Sequence, residues 1–322
     1  MTTSQPTIVV FGATGAQGGG LARAILADPV RRFRVRAVTR HPHSEAALAL
    51  AGAGADVVAA DLDDAASVAA AMHGAHGAFC VTNFWEHFSP EKEIAQANHM
   101  AAAAAAAGVA HVIWSTLEDT REYIPLESGR LPVLMGRYLV PHFDGKGEAN
   151  RAFAVRGVPT TLLYTSFYWD NLVHFGMQPQ RGADGRLRFI LPMGDTKLPG
   201  IAACDIGPCA LGIFARGEDL VGKSLGIAGE HLSGAEMAAK LAKALGEPVA
   251  HAALSPDEYR ALGFPGADDL ANMFAFKREF EHSYRASRSV GCARELHPGL
   301  LDFEGWLSRN AARIPVVQLA SA

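Results

Sequence analysis

The sequence predicts an α/β protein, a doubly wound parallel sheet followed by a smaller C-terminal α+β domain. Three observations carry that expectation. Short β-branched runs alternate with longer segments of helical spacing through the first half of the chain, the pattern of a parallel sheet with helices on its faces. Glycines spaced three apart stand between the first strand and the first helix. After Ser166 the alternation gives way to aromatic clusters and Gly/Pro-rich turns such as Gly182 to Gly185.

In chain order, Thr7–Phe11 reads as a strand, Gly18–Ala27 as a helix and Phe33–Thr39 as the second strand. Ala46–Ala51 reads as a helix, Asp56–Ala59 as a strand, Ala65–Met72 as a helix and Gly77–Val81 as the fourth strand. Pro90–Ala107 makes a long helix, His111–Ser115 a fifth strand, Gly145–Arg156 a helix and Thr160–Thr165 a sixth strand. Residues 120–141 break the rhythm with three prolines and two glycines and read as a long surface loop or lid. The expected division is a sheet domain over 1–165 and a smaller substrate or partner domain over 166–322, with pieces near 200–216 as candidates to return to the first.

A chain of 322 residues with 49% hydrophobic content is long enough for one large core or two smaller ones. Its formal net charge is −4 and its cations are scattered, so neither a nucleic-acid face nor a membrane surface is expected. Arg31, Arg32, Arg34 and Arg36 read as one exposed side of a strand. The polar start, Met1 to Pro6, lacks the form of a secretory signal. No stretch approaches the ~18 apolar residues of a membrane helix, and the Ala101–Ala107 run ends at Gly108. The cytoplasm is the default compartment. Cys80, Cys204, Cys209 and Cys292 are too far apart for a zinc cage or a disulfide framework, and the histidines have no metal-ligand spacing, so no metal is expected.

The most informative stretch is Gly12-Ala13-Thr14-Gly15-Ala16-Gln17-Gly18, directly after the first strand. Gly12 permits a tight turn, Gly15 close approach of the backbone to a pyrophosphate, and Gly18 close packing of helix on strand. The following helix aims free N–H groups and its positive dipole end at the phosphates. This is a Rossmann-type dinucleotide site, with G-x-x-G-x-x-G spacing. At the end of the second strand, where an NAD site places an acid, the chain has Arg40 and His41. Arg40 can grip a 2′-phosphate, which points to NADP(H); the plainer alternative is a solvated arginine. Asp61, with Leu62 beside it, is placed to reach the adenine, or is an ordinary turn acid.

The glycine loop, Val38-Thr39-Arg40, the segment Val81 to Glu86, His142 to Glu148 and Leu262 to Phe274 together resemble the NmrA-like family of atypical short-chain dehydrogenases. The likeness is nearest to its HSCARG-type NADPH-sensor subgroup and runs over nearly the whole chain. It implies dinucleotide contacts from Gly12 to Gly18 and from Arg40, Asp61, Thr82, Asn83, Lys146 and the segment Tyr164 to Phe167. It also implies a redox sensor or regulator whose assembly changes with NADPH occupancy, with quinone and isoflavone-type reductases among the relatives. Two departures stand out: Asn98 where the subgroup has a lysine, and a longer loop at 120–141.

A typical short-chain dehydrogenase uses Tyr-x-x-x-Lys; here His142 stands at the tyrosine position and Lys146 keeps the lysine. One helical turn separates them, which puts both on one face. His142 is a candidate acid or a hydrogen-bonded structural histidine. Tyr164 and Tyr168 fall beside the expected nicotinamide, as proton donors or pocket walls. Ser115 is a substrate-orienting hydroxyl or a plain strand-end serine. Asn272, Met273 and Phe274 read as core with an edge on the pocket. Two functions follow: an NADP(H)-responsive sensor or regulator, acting through a protein partner or homodimer, and alternatively an NADPH-dependent reductase of a small carbonyl, quinone, enone or imine.

Overall fold

The computed structural model describes residues 5–318; 1–4, within the polar start, and 319–322 lie outside the described residues. The first half contains β1 (Thr7–Val10), α1 (Ala16–Leu26), β2 (Arg34–Thr39), α2 (Glu45–Gly52), β3 (Asp56–Ala59), α3 (Ala65–Met72), β4 (Gly77–Cys80), α4 (Pro90–Ala106), β5 (His111–Thr116), α5 (Pro141–Ala154) and β6 (Thr160–Tyr164). There follow β7 (Phe167–Tyr168), α6 (Asn171–His174), β8 (Gln180–Arg181), β9 (Leu187–Ile190), β10 (Lys197–Ile201), α7 (Ala203–Arg216), β11 (Ser224–Gly226), β12 (Glu230–Ser233) and α8 (Gly234–Leu245). The chain ends with β13 (Val249–Ala252), α9 (Pro256–Arg260), α10 (Ala267–Glu279), α11 (Glu281–Ala286), α12 (Val290–Leu296), α13 (Phe303–Asn310) and β14 (Val317–Gln318).

Seven strands form one sheet in the order β11-β6-β5-β4-β1-β2-β3, and every pair is parallel. The α/β doubly wound architecture with smaller additional sheets is therefore as the sequence predicts. Alternation along β1 explains its two-sided burial: Ile8 and Val10 join one core with Leu21, Val35 and Phe79, whereas Val9 and Phe11 join another with Met100, Val112 and Trp114. The alanine run of α4 lies in the second of these, where Ala101 and Ala104 are buried and small side chains let helix approach sheet. The 200–216 region contributes a helix: α7 packs on α1, and β11 then adds to the sheet beside β6.

The remaining strands make two small sheets, β12-β10-β7 and β13-β9-β8-β14, around a third core rich in aromatics, including Phe143, Trp169, Phe189, Phe274, Phe276 and Trp306. The 120–141 segment is anchored to that core by Ile124, Leu131, Leu139 and Val140. Its two ends meet at Asp144, whose carboxylate accepts from the Thr120 amide (2.8 Å) and hydroxyl (2.6 Å) and from the amides of Leu139 (2.8 Å) and Val140 (3.0 Å). The segment runs over the surface, as the sequence predicts, but is pinned: Tyr123, Val133 and Met135 are exposed, whereas Ile124, Leu131 and Leu139 are buried. No helix among the described residues is long and apolar enough to cross a membrane.

Candidate functional site

From β1 the chain adds strands in one direction, then returns to β4 on the other side, so the C-terminal ends of β1 and β4 open a crevice. A cleft of ≈ 430 Å³ fills it, and Gly12, Thr14, Gly15, Ala16, Gln17, Gly18, Arg40, Asp61, Leu62, Thr82 and Asn83 all line it. Gly12 turns the chain with φ +63°, and the Gly15 amide donates to its carbonyl at 2.9 Å. A Cβ on Gly18 would stand 2.5 Å from the carbonyl oxygens of Phe11 and Gly12, so glycine alone lets α1 start against the strand end. Gly15 caps α1 without a side-chain acceptor, and no acid occupies the first turn. The first i→i−4 bond runs from the Gly19 amide to Gly15. The amides of Ala16, Gln17 and Gly18 are therefore left as anion donors, which suits a pyrophosphate.

Arg40 lies in the same cleft and is ion-paired with Glu86 from the short turn after β4. The hydrogen bond to Glu86 makes the guanidinium hold its proton still more firmly. Asp61 also lines the cleft, with one carboxylate oxygen accepting from the Asp63 amide at 3.0 Å. Asn98 faces its own helix, donating to the Ile94 carbonyl at 2.9 Å.

A second cavity of ≈ 290 Å³ adjoins the first; Gln17, Thr82, Asn83 and Tyr168 line both. His142, Lys146, Ser115 and Phe167 stand in its wall. Helix α5 begins at Pro141, so His142 and Lys146 share one face. Two glycines bring that helix close: a Cβ on Gly145 would lie 3.1 Å from Pro90, and one on Gly147 2.5 Å from the Asp119 amide nitrogen. Lys146 Nζ donates to the Thr82 hydroxyl (2.7 Å) and carbonyl (3.2 Å), and Glu93 lies 3.4 Å behind it. Glu93 is fully buried and neither of its oxygens has a hydrogen bond. His142 Nδ1 sits 2.6 Å from Asp269 Oδ1, and its ring centroid is 4.9 Å from that of Trp85. The Tyr168 hydroxyl accepts from Gln17 Nε2 at 2.6 Å, and burial pushes its pKa up to about 12.

Tyr164 is not brought to these two cavities. Alternation along β6 sends Leu163 into the core shared with α1 and α7, so Tyr164 projects from the opposite face. There it lines a separate cleft with Tyr123, Asn150 and Ser287. The expected contact from Tyr164 to the dinucleotide is thus corrected, and Phe167 and Lys146, also expected at the dinucleotide, line the adjoining cavity and not the cleft itself. Met273 lines the cavity, Phe274 is core, and Asn272 donates to the carbonyls of Pro132 (2.9 Å) and Leu139 (2.6 Å), fixing the 120–141 loop.

Sequence reasoning missed Glu86, Glu93, Asp269 and Lys277. Glu93 and Asp269 look like ordinary first-turn helix acids. Lys277 offered one signal, a cation directly after the apolar run Met273 to Phe276. Its side chain is buried and lines the cavity.

The sequence pattern of the NmrA-like family matches residues 4–307. The NmrA-like family domain-containing oxidoreductase lnbB of Aspergillus flavus is 27% identical, over 97% of this chain and 99% of that protein. The corresponding oxidoreductase FrzB of a Cladobotryum species is 28% identical over 84% of this chain and 83% of that one. Among solved structures, NmrA, a negative transcriptional regulator, superposes with a TM-score of 0.76 at 25% identity, covering 96% of this chain and 95% of that one. The triphenylmethane reductase of Citrobacter sp., complexed with NADP(H), shares the fold with a TM-score of 0.70 at 19% identity, over 95% and 99% of the two chains.

Proposed function

The chain belongs to the NmrA-like family, and from that premise we propose that it is an NADP(H)-dependent oxidoreductase reducing a small, largely apolar carbonyl, quinone, enone or imine. One observation carries the reading: a substrate-sized cavity opens off the dinucleotide cleft at Gln17, Thr82, Asn83 and Tyr168, with Lys146 and an Asp269-held His142 in its wall. A protein that only sensed the cofactor would have less need of such a cavity. The two fungal relatives that match over most of their length are named as oxidoreductases, which supports it further.

Bound NADPH would supply the hydride. The α1 amides take the pyrophosphate and Arg40 the 2′-phosphate. Lys146, already held by Thr82, is the cation for the ribose next to the reacting ring. Trp85, Phe143, Phe167 and Leu270 keep water from the cavity. Asp269 fixes the His142 ring through Nδ1; in the doubly protonated ring Nε2–H is the proton given to the substrate oxygen or nitrogen, which leaves the neutral ring with its proton on Nδ1.

A second reading, an NADP(H)-responsive regulator, is favoured by the histidine that stands where the reductase phenol would be. Calorimetric titration with NADPH, NADP⁺ and NADH, then an absorbance screen for NADPH consumption over quinones, aldehydes, enones and imines, separates the two. Turnover on the order of ~1 s⁻¹ supports the oxidoreductase. Tight NADPH binding with no consumption and an NADPH-dependent elution volume in gel filtration supports the regulator instead.

A further inference from the structure

Lys277 carries a charge that the folded chain does not balance. It projects from α10 into the cavity wall and is 3% exposed. The only hydrogen-bond partner of its Nζ among the described residues is the thioether sulfur of Met273 at 3.2 Å, a weak acceptor. Aromatic rings surround it: Phe143 at 5.3 Å, Tyr284 at 5.4 Å and Phe274 at 5.7 Å from Nζ to centroid. These faces stabilise an ammonium but do not neutralise it.

Among the neighbouring charges only Glu118 favours the ammonium, and it is already paired with another cation. Arg288 faces Lys277 as a like charge, and its own guanidinium is consumed by a bidentate pair with Glu118 at 2.6 and 2.9 Å. Tyr284 faces it from α11, and the other titratable groups in the cavity wall are His142 and Lys146 from α5 and Tyr168 from β7. Two further buried acids, Glu93 and Asp269, are engaged with Lys146 and His142. Burial accordingly pulls the Lys277 amine down to about 7. A buried amine set among aromatic rings, with a thioether as its only hydrogen-bond acceptor among the described residues, is complete only when a ligand brings an anion.

We propose that the cavity takes a compact aromatic or aliphatic substrate bearing one acidic oxygen group, a carboxylate or an acidic enol or phenol, and that Lys277 is the counter-ion that seats it. This rests on the cavity being the substrate site. Lys277 and Tyr284 line the cavity and not the dinucleotide cleft, so the acidic group is held by residues other than those that meet the cofactor. On binding, the amine takes a proton from solvent and pairs with the anion, so ligand entry is coupled to proton uptake near neutral pH.

The test reads binding, not turnover, on the full chain with NADP⁺ present. The probes are 2-naphthoate and 2-naphthamide, alike in shape and different in charge, titrated by calorimetry at pH 8 in buffers of different ionisation enthalpy. The expected result is naphthoate binding about tenfold tighter than the amide, since a buried charge-assisted contact exceeds a neutral one by that order. Naphthoate binding should take up most of a proton. Lys277→Met should abolish both the preference and the uptake while the amide binds as before. Equal affinities for wild type, no binding of either probe, naphthoate binding without proton uptake, or an undiminished preference in Lys277→Met would each overturn the anchor. The uptake is measured on wild type, so it stands even if the variant folds poorly. Hydride transfer is read separately by NADPH consumption, and either proposal can fail alone.

Discussion

Asp269 Oδ1 lies 2.6 Å from His142 Nδ1, and Asp269 Oδ2 accepts from the His142 backbone amide at 3.2 Å, so one carboxylate from α10 fixes both ring and backbone at the start of α5. The two residues are 127 positions apart, and both are buried. If His142 hands a proton to substrate, the ring must start doubly protonated, with Nδ1–H donating to Asp269 and Nε2–H as the proton given up. Asp269→Asn keeps the shape and removes the charge. It should lower kcat for NADPH-dependent reduction by about tenfold to a hundredfold, with KM little changed. His142→Gln should show the same split. A variant that lost only thermal stability and kept kcat would mean that the pair is structural.

Arg40 and Glu86 form an ion pair across the mouth of the dinucleotide cleft. Any 2′-phosphate must compete with Glu86 for the guanidinium. Arg40→Ala should weaken NADPH binding by about tenfold to a hundredfold and NADH binding far less. Glu86→Gln should move the other way, tightening NADPH about threefold by removing the competitor. Calorimetry with both cofactors checks this; an equal loss for NADH in Arg40→Ala would show that the arginine does not read the 2′-phosphate.

Most of the dinucleotide cleft is legible in the sequence because its parts are turns directly following strands: Gly12–Gly18 after β1, Arg40 after β2, Asp61 and Leu62 after β3, Thr82 and Asn83 after β4. Strand period and glycine spacing place such residues with no knowledge of distant contacts. The catalytic wall is less legible. Helix α5 begins at Pro141, and periodicity, which placed its start at Gly145, missed the first turn that carries His142. Proline at the first position is a local start signal, whereas the close fit of Gly145 on Pro90 and of Gly147 on Asp119 is tertiary. Asp269 and Lys277 meet the site only through the folding of α10 onto α5, and β11, three residues long, carries too little pattern to be recognised as a seventh strand.

The depressed Lys277 amine has a stability consequence. The unfolded chain holds that proton up to about 10.5, whereas the folded chain releases it near 7. Between those values the unfolded state binds the extra proton, so stability rises with pH at about 1.4 kcal/mol per unit from this group, and below about 7 the full penalty is present. Lys277→Met removes the penalty. It should be more stable than wild type at pH 7, by urea midpoint, and the gap should narrow at pH 9.5. A variant less stable than wild type at both values would show that the amine is compensated inside the fold.

Arg288 is fully buried and holds Glu118 by two hydrogen bonds, donates through Nε to the Thr165 carbonyl at 2.9 Å, and stacks with its guanidinium carbon 3.7 Å from the Tyr284 centroid. It thereby ties the segment after β5, the turn after β6 and α11 into one wall beside the cavity. Glu118→Gln strands the arginine charge in a dry site. The expected cost is about 3–5 kcal/mol, the range for breaking a buried pair by removing one partner. It should also weaken Lys277 as a cation further, because Glu118 is the one nearby charge acting in its favour. Glu118→Met combined with Arg288→Met should recover much of the loss, since two apolar side chains leave no charge unpaired. Urea unfolding of Glu118→Met, Arg288→Met and their combination decides it: if the double variant is as unstable as the sum of the single ones, the pair contributes through its geometry at Thr165 and Tyr284 and not through charge balance.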